Sequence, residues 1–174
     1  MGSNVGAGFS HKRYASSDDV EKLGLLGQVD YVDGIPYKLV QVHTVCISDV
    51  IAAGHVLYYT STTNVVTNDR SEAVSDAAKH YAGVAPSDLI ASVPESTATV
   101  TYYMQMQIGG RNSAVVTNGD DDIAAGDSII ASGDGTCDST ATPASVDPAT
   151  LIGIAAAADV DASDTVAVNL KYVG

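Results

Sequence analysis

The chain has 174 residues, of which 45% are hydrophobic, and a formal net charge of -13 at pH 7. This hydrophobic content is ordinary for a globular protein and excludes wholesale disorder. The acidic balance argues against nucleic acid as a partner, because a phosphate backbone attracts a basic surface. No segment approaches the roughly 20 apolar residues of a membrane-spanning helix, and we expect neither a membrane partner nor a signal peptide.

The residue types limit the core that this chain can build. It contains 24 Ala and 22 Val, but one Phe and no Trp. Burial stabilises a fold by roughly 25 cal/mol per Å² of apolar surface, so small side chains stabilise a lone subunit only modestly. Of the 21 acidic residues 18 are Asp, which favours turns over helices. These features predict a loop-rich subunit that gains stability by association.

An extended N-terminal arm is predicted for residues 1 to about 28, followed by a β domain over 29–174. The arm is rich in glycine and holds three of the eight Lys and Arg residues, balanced by three acidic residues, whereas the remaining chain is strongly acidic. Such a segment cannot build its own core, so we expect it to be poorly ordered alone and ordered on a partner. The alternative is a strand packed against its own domain. The residues expected to contact the partner are Phe9, Lys12, Arg13, Tyr14 and Lys22.

The β domain opens with a predicted hairpin, because Asp33-Gly34 is a turn signal between apolar runs at 29–32 and 37–45. Many short strands separated by turn residues are typical of an all-β sandwich or barrel. The further strands are predicted at 55–60, 65–66, 81–85, 97–108, 114–116, 128–130, 152–157 and 165–172, with a short helix at 71–80.

Residues 97–108 give the clearest strand pattern in the chain. Apolar side chains at Val100, Tyr102, Met104, Met106 and Ile108 alternate with polar ones. A period of two residues predicts one apolar and one polar face.

A repeated phrase divides the β domain into two copies, at about 47–110 and 119–174. The phrase that begins at Ile51 recurs 72 residues later at Ile123, and the Gly83 phrase recurs 70 residues later at Gly153. Because no reactive residue is repeated, the pattern indicates a duplicated strand-loop-strand scaffold.

Candidate catalytic chemistry is weak. Gly126-Asp127-Ser128 is similar to the nucleophile block of GDS-type lipases, but no histidine follows it in the chain. Without a base the serine hydroxyl is not activated, so we expect a turn that enters a strand and no enzyme activity. No phosphate-binding glycine loop is present, and no cofactor is expected.

Metal and disulfide chemistry are not indicated either. The histidines lack a short metal-ligand spacing, and Asp120–Asp122 are interpreted as solvated turn residues, with a calcium site as the alternative. Cys46 lies in an apolar run and Cys137 in a predicted loop. We expect free thiols, although the sequence leaves a bond between them open.

Two tyrosine pairs, Tyr58-Tyr59 and Tyr102-Tyr103, are predicted to place one ring inward and one outward. An outward ring can stack on a sugar or pack at a protein interface. Core and ordinary surface tyrosines are the favoured interpretation.

The repeated motifs carry a family resemblance. An Ala-Ala-Gly turn (Ala52–His55, Ala124–Asp127) leads into a strand, and an Ala/Ile-Gly-Val/Ile-Ala strand follows (Ala82–Ala85, Ile152–Ala155). This order, with the closing strand at 164–170, resembles the capsid decoration (cement, or head-stabilising) proteins of tailed phages. The likeness covers about residues 45–174.

The resemblance implies a structural, non-enzymatic virion protein. It implies a homo-oligomer, a trimer or a dimer, that binds the major capsid protein on the outer surface of an icosahedral head and stabilises the shell. The alternative is a carbohydrate- or receptor-binding β module of a head fibre or tail.

Overall fold

The computed structural model describes residues 25–73, 81–89, 91–119, 123–140, 148–159 and 164–173, and the backbone of 14–15. Strands dominate these residues, which confirms the predicted all-β class. The strands are β1 (Tyr14–Ala15), β2 (Val29–Val32), β3 (Ile35–Val42), β4 (Val50–Ile51), β5 (Val56–Tyr59), β6 (Val65–Thr67), β7 (Tyr81–Val84), β8 (Val93–Pro94), β9 (Tyr102–Gln107), β10 (Gly110–Val116), β11 (Ser128–Ala131), β12 (Cys137–Thr140), β13 (Leu151–Ala155) and β14 (Thr165–Leu170). Short 3-10 turns lie at Ile47–Asp49 and Arg70–Glu72.

The hairpin of β2 and β3 turns at Asp33-Gly34, as the sequence predicts. Asp33 and Gly34 have φ angles of 51° and 81°, and Val32 lies opposite Ile35. Two successive left-handed residues form the turn whose twist matches the flanking strands.

Five strands close into a first barrel. β9 pairs with β7, β7 with β5, β5 with β6 and β6 with β3, and β3 returns to β9. Only the β3–β6 pair among these is parallel. The interior is filled by aliphatic and Met side chains, including Val40, Leu57, Met104 and Met106.

A second five-stranded sheet repeats this connectivity. β14 pairs with β10 and β13, β13 with β11, and β11 with β12. A parallel bridge between Thr117 and Cys137 links the end of β10 to β12, at the position that the β3–β6 pair has in the first barrel. This bridge closes the five strands into a second barrel. Strands β10 to β14 therefore correspond in order to β3, β5, β6, β7 and β9. Each structural unit includes one strand upstream of its repeated phrase.

The repeated phrases occupy equivalent positions down to single hydrogen bonds. Leu57 lies opposite Gly83 in the first unit and Ile129 opposite Gly153 in the second, and a bulge follows each pair. The Ala85 N–H donates to the His55 carbonyl at 2.9 Å, and the Ala155 N–H donates to the Asp127 carbonyl at 2.9 Å. The sequence offsets thus report a true structural correspondence between Val56–Tyr59 and Ser128–Ala131.

Gly83 and Gly153 lie where two strands approach closely. A Cβ at Gly83 would lie 2.6 Å from the Gln107 carbonyl oxygen and from the Met106 side chain, and a Cβ at Gly153 would overlap the Asn169 carbonyl. A β-carbon at either position forces its neighbours apart, so both sites require glycine.

The two units share one hydrophobic core. The outer face of β5 and β7, with Val56, Tyr58 and Val84, packs against interior residues of the second unit such as Ile129 and Val168. Burial of this face joins the units into one body.

The β9 region departs from its predicted pattern. The strand covers Tyr102–Gln107, and a turn closed by the Thr97 N–H donating to the Val100 carbonyl at 2.8 Å precedes it. The face predicted to be polar and exposed is buried, since Gln105 is 5% and Gln107 2% exposed. For Gln107 the reason lies in the second unit, because Asn112 donates to its side-chain oxygen at 3.0 Å. Gln105 lies beside Leu25, Gln28 and Leu39 of the first unit.

Cys137 was expected in a loop and instead lies in β12, because the turn before it ends at Thr136. Both thiols are free and buried. The helix predicted at 71–80 is a 3-10 turn at Arg70–Glu72 within the described part of the chain, and residues 74–80 lie outside it.

Candidate partner-binding surface

The structure leaves the predicted arm contacts as predictions. Phe9, Lys12, Arg13 and Lys22 lie outside the described residues, and Tyr14 is described by its backbone alone. That backbone forms β1, in which Tyr14 lies opposite Tyr103 of β9.

The end of the predicted arm is attached to the first barrel. The Leu39 N–H donates to the Gln28 carbonyl at 3.0 Å, and the Gly27 N–H donates to the Leu39 carbonyl at 2.8 Å. Leu25 and Leu26 pack against Leu39 and Tyr103. Residues 25–28, which the sequence analysis assigned to the arm, therefore extend the sheet beside β3.

A groove with basic and aromatic walls crosses the join between the two units. Tyr59 and Val173 line two adjoining hollows of about 440 and 280 Å³. The first is completed by Tyr81, Pro148, Ala149, Leu151, Lys171 and Tyr172, and the second by Lys38 and Thr60–Asn64. We call Lys38, Tyr59, Lys171 and Tyr172 the tyrosine–lysine groove.

The Lys38 ammonium is held at one end of the Tyr59 ring. Its Nζ donates to the Tyr59 hydroxyl at 3.0 Å and lies 5.2 Å from the ring centre. These distances place the charge beyond the hydroxyl rather than above the ring face, so the contact is a hydrogen bond and not a cation–π interaction.

The groove concentrates positive charge on an acidic protein. The described residues include four Lys or Arg side chains (Lys38, Arg70, Arg111, Lys171), and two of them belong to the groove. Tyr172 is 55% exposed, and Lys171 donates to the Pro148 carbonyl at 3.2 Å. Ammonium groups beside aromatic rings suit carboxylates or sugar rings of a partner. The sequence analysis singled out the Tyr58-Tyr59 pair, but it missed Lys38, Lys171 and Tyr172 because they come from distant segments that form no motif.

The lipase-like motif is a structural turn. The Asp127 carboxylate accepts the Ala124 N–H at 2.8 Å, and in the first unit the His55 Nδ1 accepts the Ala52 N–H at 3.3 Å. The two side chains close equivalent turns, which accounts for their matched positions.

His55 is also fixed by a buried amide. The Asn68 side-chain nitrogen lies 2.8 Å from the His55 Nδ1 and 3.0 Å from the Val50 carbonyl oxygen. Because two N–H groups point at Nδ1, that nitrogen is the unprotonated acceptor. Burial lowers the pKa of His55 and keeps the ring neutral.

Both cysteine thiols of the described chain are buried. Burial raises the pKa of the Cys46 thiol to about 11 and that of Cys137 to about 12, so neither is a nucleophilic thiolate at neutral pH.

Among the described residues no three His, Cys, Asp or Glu side chains come together as metal ligands, and Asp120–Asp122 lie outside that part. In the same residues no helix has the length and apolar character needed to cross a membrane.

Comparisons with known proteins give a structural likeness. No family model and no curated protein matches the sequence. This chain is similar to a solved structure, the head fiber gp8.5 N base of bacteriophage phi29, with a TM-score of 0.47 and 16% sequence identity. The likeness covers 79% of this chain and 97% of that chain.

Proposed function

We propose that this chain is a structural protein of a phage head, which binds the outer surface of the shell and stabilises the contacts between major capsid proteins. The duplicated barrel carries the proposal. The motifs that resemble decoration proteins form one scaffold twice, and their polar residues His55 and Asp127 close turns. The repeated motifs therefore build a scaffold, and in this proposal that scaffold serves as a platform for binding.

Two features supply the contacts that such a protein needs. The arm leaves the first barrel beside β3 and β9, where residues 25–28 are attached. The tyrosine–lysine groove adds positive charge for an acidic patch on the shell. In this proposal the arm grips the major capsid protein through Phe9, Lys12, Arg13, Tyr14 and Lys22, and subunits act as a trimer or dimer.

Deletion of residues 2–20 tests the role of the arm. The deletion removes the short β1 from the edge of β9. We expect the truncated protein to keep its fold, because residues 25–28 still pack on β3, and to lose most of its binding to purified heads in a sedimentation assay. The full-length protein should bind more weakly as salt rises, since exposed charge pairs are screened. Full-strength, salt-insensitive binding by the truncated protein would assign docking to the β domain.

A second candidate function is recognition of a carbohydrate or a receptor. The exposed rings of Tyr31 and Tyr172, which are 63% and 55% exposed, favour it. The number of copies per particle separates the two functions: a stabilising protein occurs in proportion to the shell protein, whereas an adhesin occurs in a few copies.

A further inference from the structure

The internal join between the two units provides a pattern for a second interface. The leading face of the first unit consists of Gly54, Val56, Tyr58 and Val84. The receiving face of the second unit consists of Val116 and the turn Ser132–Gly135. Hydrogen bonds connect the two faces, from the Val56 N–H to the Gly135 carbonyl at 2.8 Å, from the Val116 N–H to the Gly54 carbonyl at 3.0 Å and from the Tyr58 hydroxyl to the Gly133 carbonyl at 2.6 Å.

The second unit has its own leading face, which the described residues leave largely open: Gly126 and Ile154 are exposed, and Ser128 and Ile130 are half-buried. By strand correspondence its residues are Gly126, Ser128, Ile130 and Ile154. A Cβ on Gly54 would overlap the Ala114 carbonyl, whereas a Cβ on Gly126 would meet no atom within 4 Å. Likewise Val84 is 0% exposed and its counterpart Ile154 is 52% exposed.

The first unit has an uncovered receiving face. Its β5–β6 turn, Ser61–Thr63, corresponds to the β11–β12 turn and is exposed, beside the hollow of about 280 Å³ that Lys38 also lines. The neighbouring edge of β3 is already paired with β2 and with Gln28. An incoming face would therefore meet the turn and Lys38 rather than the strand edge.

The two uncovered faces carry opposite charges. Asp127 stands on the second unit where the first has the neutral His55. On the receiving faces, Lys38 of β3 corresponds to the neutral Asn112 of β10. The correspondence follows from the strand register, since Lys38 lies opposite Met106 and Asn112 lies opposite Val168. The charge difference favours a contact between copies, because it brings a carboxylate and an ammonium group to the same interface, where the internal join has neutral side chains.

We propose that copies of this chain associate head to tail, with the leading face of the second unit of one copy on the receiving face of the first unit of the next. Such a heterologous contact repeats the internal join and closes into a ring when the rotation allows. A monomeric chain would overturn this contact together with the proposed trimer or dimer, whereas binding of the arm to the shell is tested separately by the deletion of residues 2–20.

Three full-length proteins test the contact by native mass spectrometry at micromolar concentration. We expect the unaltered chain to have a multiple of the 17.8 kDa subunit mass. Ile154→Asp, on the leading face, and Thr63→Glu, on the receiving face, should each reduce the mass to that of one subunit. An equimolar mixture of the two variants should form a dimer, since it retains one intact leading face and one intact receiving face.

Matched controls carry the same changes elsewhere. Val100→Asp replaces a 41% exposed valine, and Thr44→Glu replaces an exposed threonine; both should keep the mass of the unaltered chain. Far-UV circular dichroism checks folding, and Ile154→Ser replaces Ile154→Asp if the latter unfolds. A monomeric unaltered chain, an oligomeric Thr63→Glu variant or a monomeric mixture would each overturn the proposal.

Discussion

Equivalent residues in the two units have the same structural role, in some cases with different side chains. Gly83 and Gly153 allow close strand approach, and His55 and Asp127 close equivalent turns. The glycine positions were visible in the sequence because the phrase around them repeats. The correspondence of His55 with Asp127 was visible as an alignment. The hydrogen bonds of His55 were not, since Asn68 supplies one of them from the bend after β6.

Replacement of Gly83 by Val should destabilise the protein by about 1–3 kcal/mol, because the added atoms meet the Gln107 carbonyl and the Met106 side chain. Urea unfolding followed by circular dichroism measures the change. Val100→Ala is the control, since a change at a 41% exposed residue outside the proposed contact should stay within about 0.5 kcal/mol. An unchanged midpoint for Gly83→Val would contradict the close approach of β7 and β9.

Stability should depend on pH through His55. Its pKa is lowered in the folded state, so the neutral ring stabilises the fold fully above the unfolded value of about 6.5. This contribution is lost as pH falls through that value toward the folded pKa, because the unfolded chain binds the proton first.

The variant His55→Asn tests this dependence, because an amide oxygen can accept the Ala52 N–H without titrating. We expect the melting temperature of the unaltered chain to fall more between pH 8 and pH 5.5 than that of the variant. Parallel curves for the two proteins would show that His55 does not carry the effect.

At the scale of elements, the hairpin and the repeated strand pairs were predictable because turn residues and periodicity specify them locally. The closure of each barrel was not, since the parallel β3–β6 pair joins strands that no turn connects. The same limit explains β9, whose Gln105 and Gln107 read as exposed until Asn112 and the surrounding strands cover them.

Two buried tyrosines allow a matched test of the join between units. The Tyr58 hydroxyl donates to the Gly133 carbonyl at 2.6 Å, whereas the buried Tyr81 hydroxyl has no partner among the described residues. Tyr58→Phe should lower the free energy of unfolding by about 0.5–1.5 kcal/mol, and Tyr81→Phe should leave it unchanged or raise it. Equal effects would argue against a specific hydrogen bond across the join.

At the scale of the whole molecule, the shared core predicts that both units unfold together. Cys46 lies in the first unit and Cys137 in the second, and both thiols are buried. Labelling by a thiol reagent with mass-spectrometric detection should therefore give the same opening free energy for both. Faster labelling of one cysteine at low denaturant would mean that its unit opens separately.

The tyrosine–lysine groove belongs to this scale too. Its residues Lys38, Tyr59 and Lys171 lie far apart in sequence, and folding brings them together. The amino-acid composition shows that the chain is acidic overall, but the position of its basic surface follows from the packing of the two units.

Because the two barrels have the same connectivity, a strand of one barrel can pair wrongly with the other barrel during folding. While the chain collapses, β9 and β14 are competing candidates to close either barrel, and an exchange would trap a misassembled product. Their inward side chains differ in volume: Met104 and Met106 in the first barrel, Val166 and Val168 in the second. A strand placed in the wrong barrel would overfill one interior and leave a void in the other. Both defects cost free energy, so the difference in side-chain volume between the copies favours the correct pairing of strands during assembly.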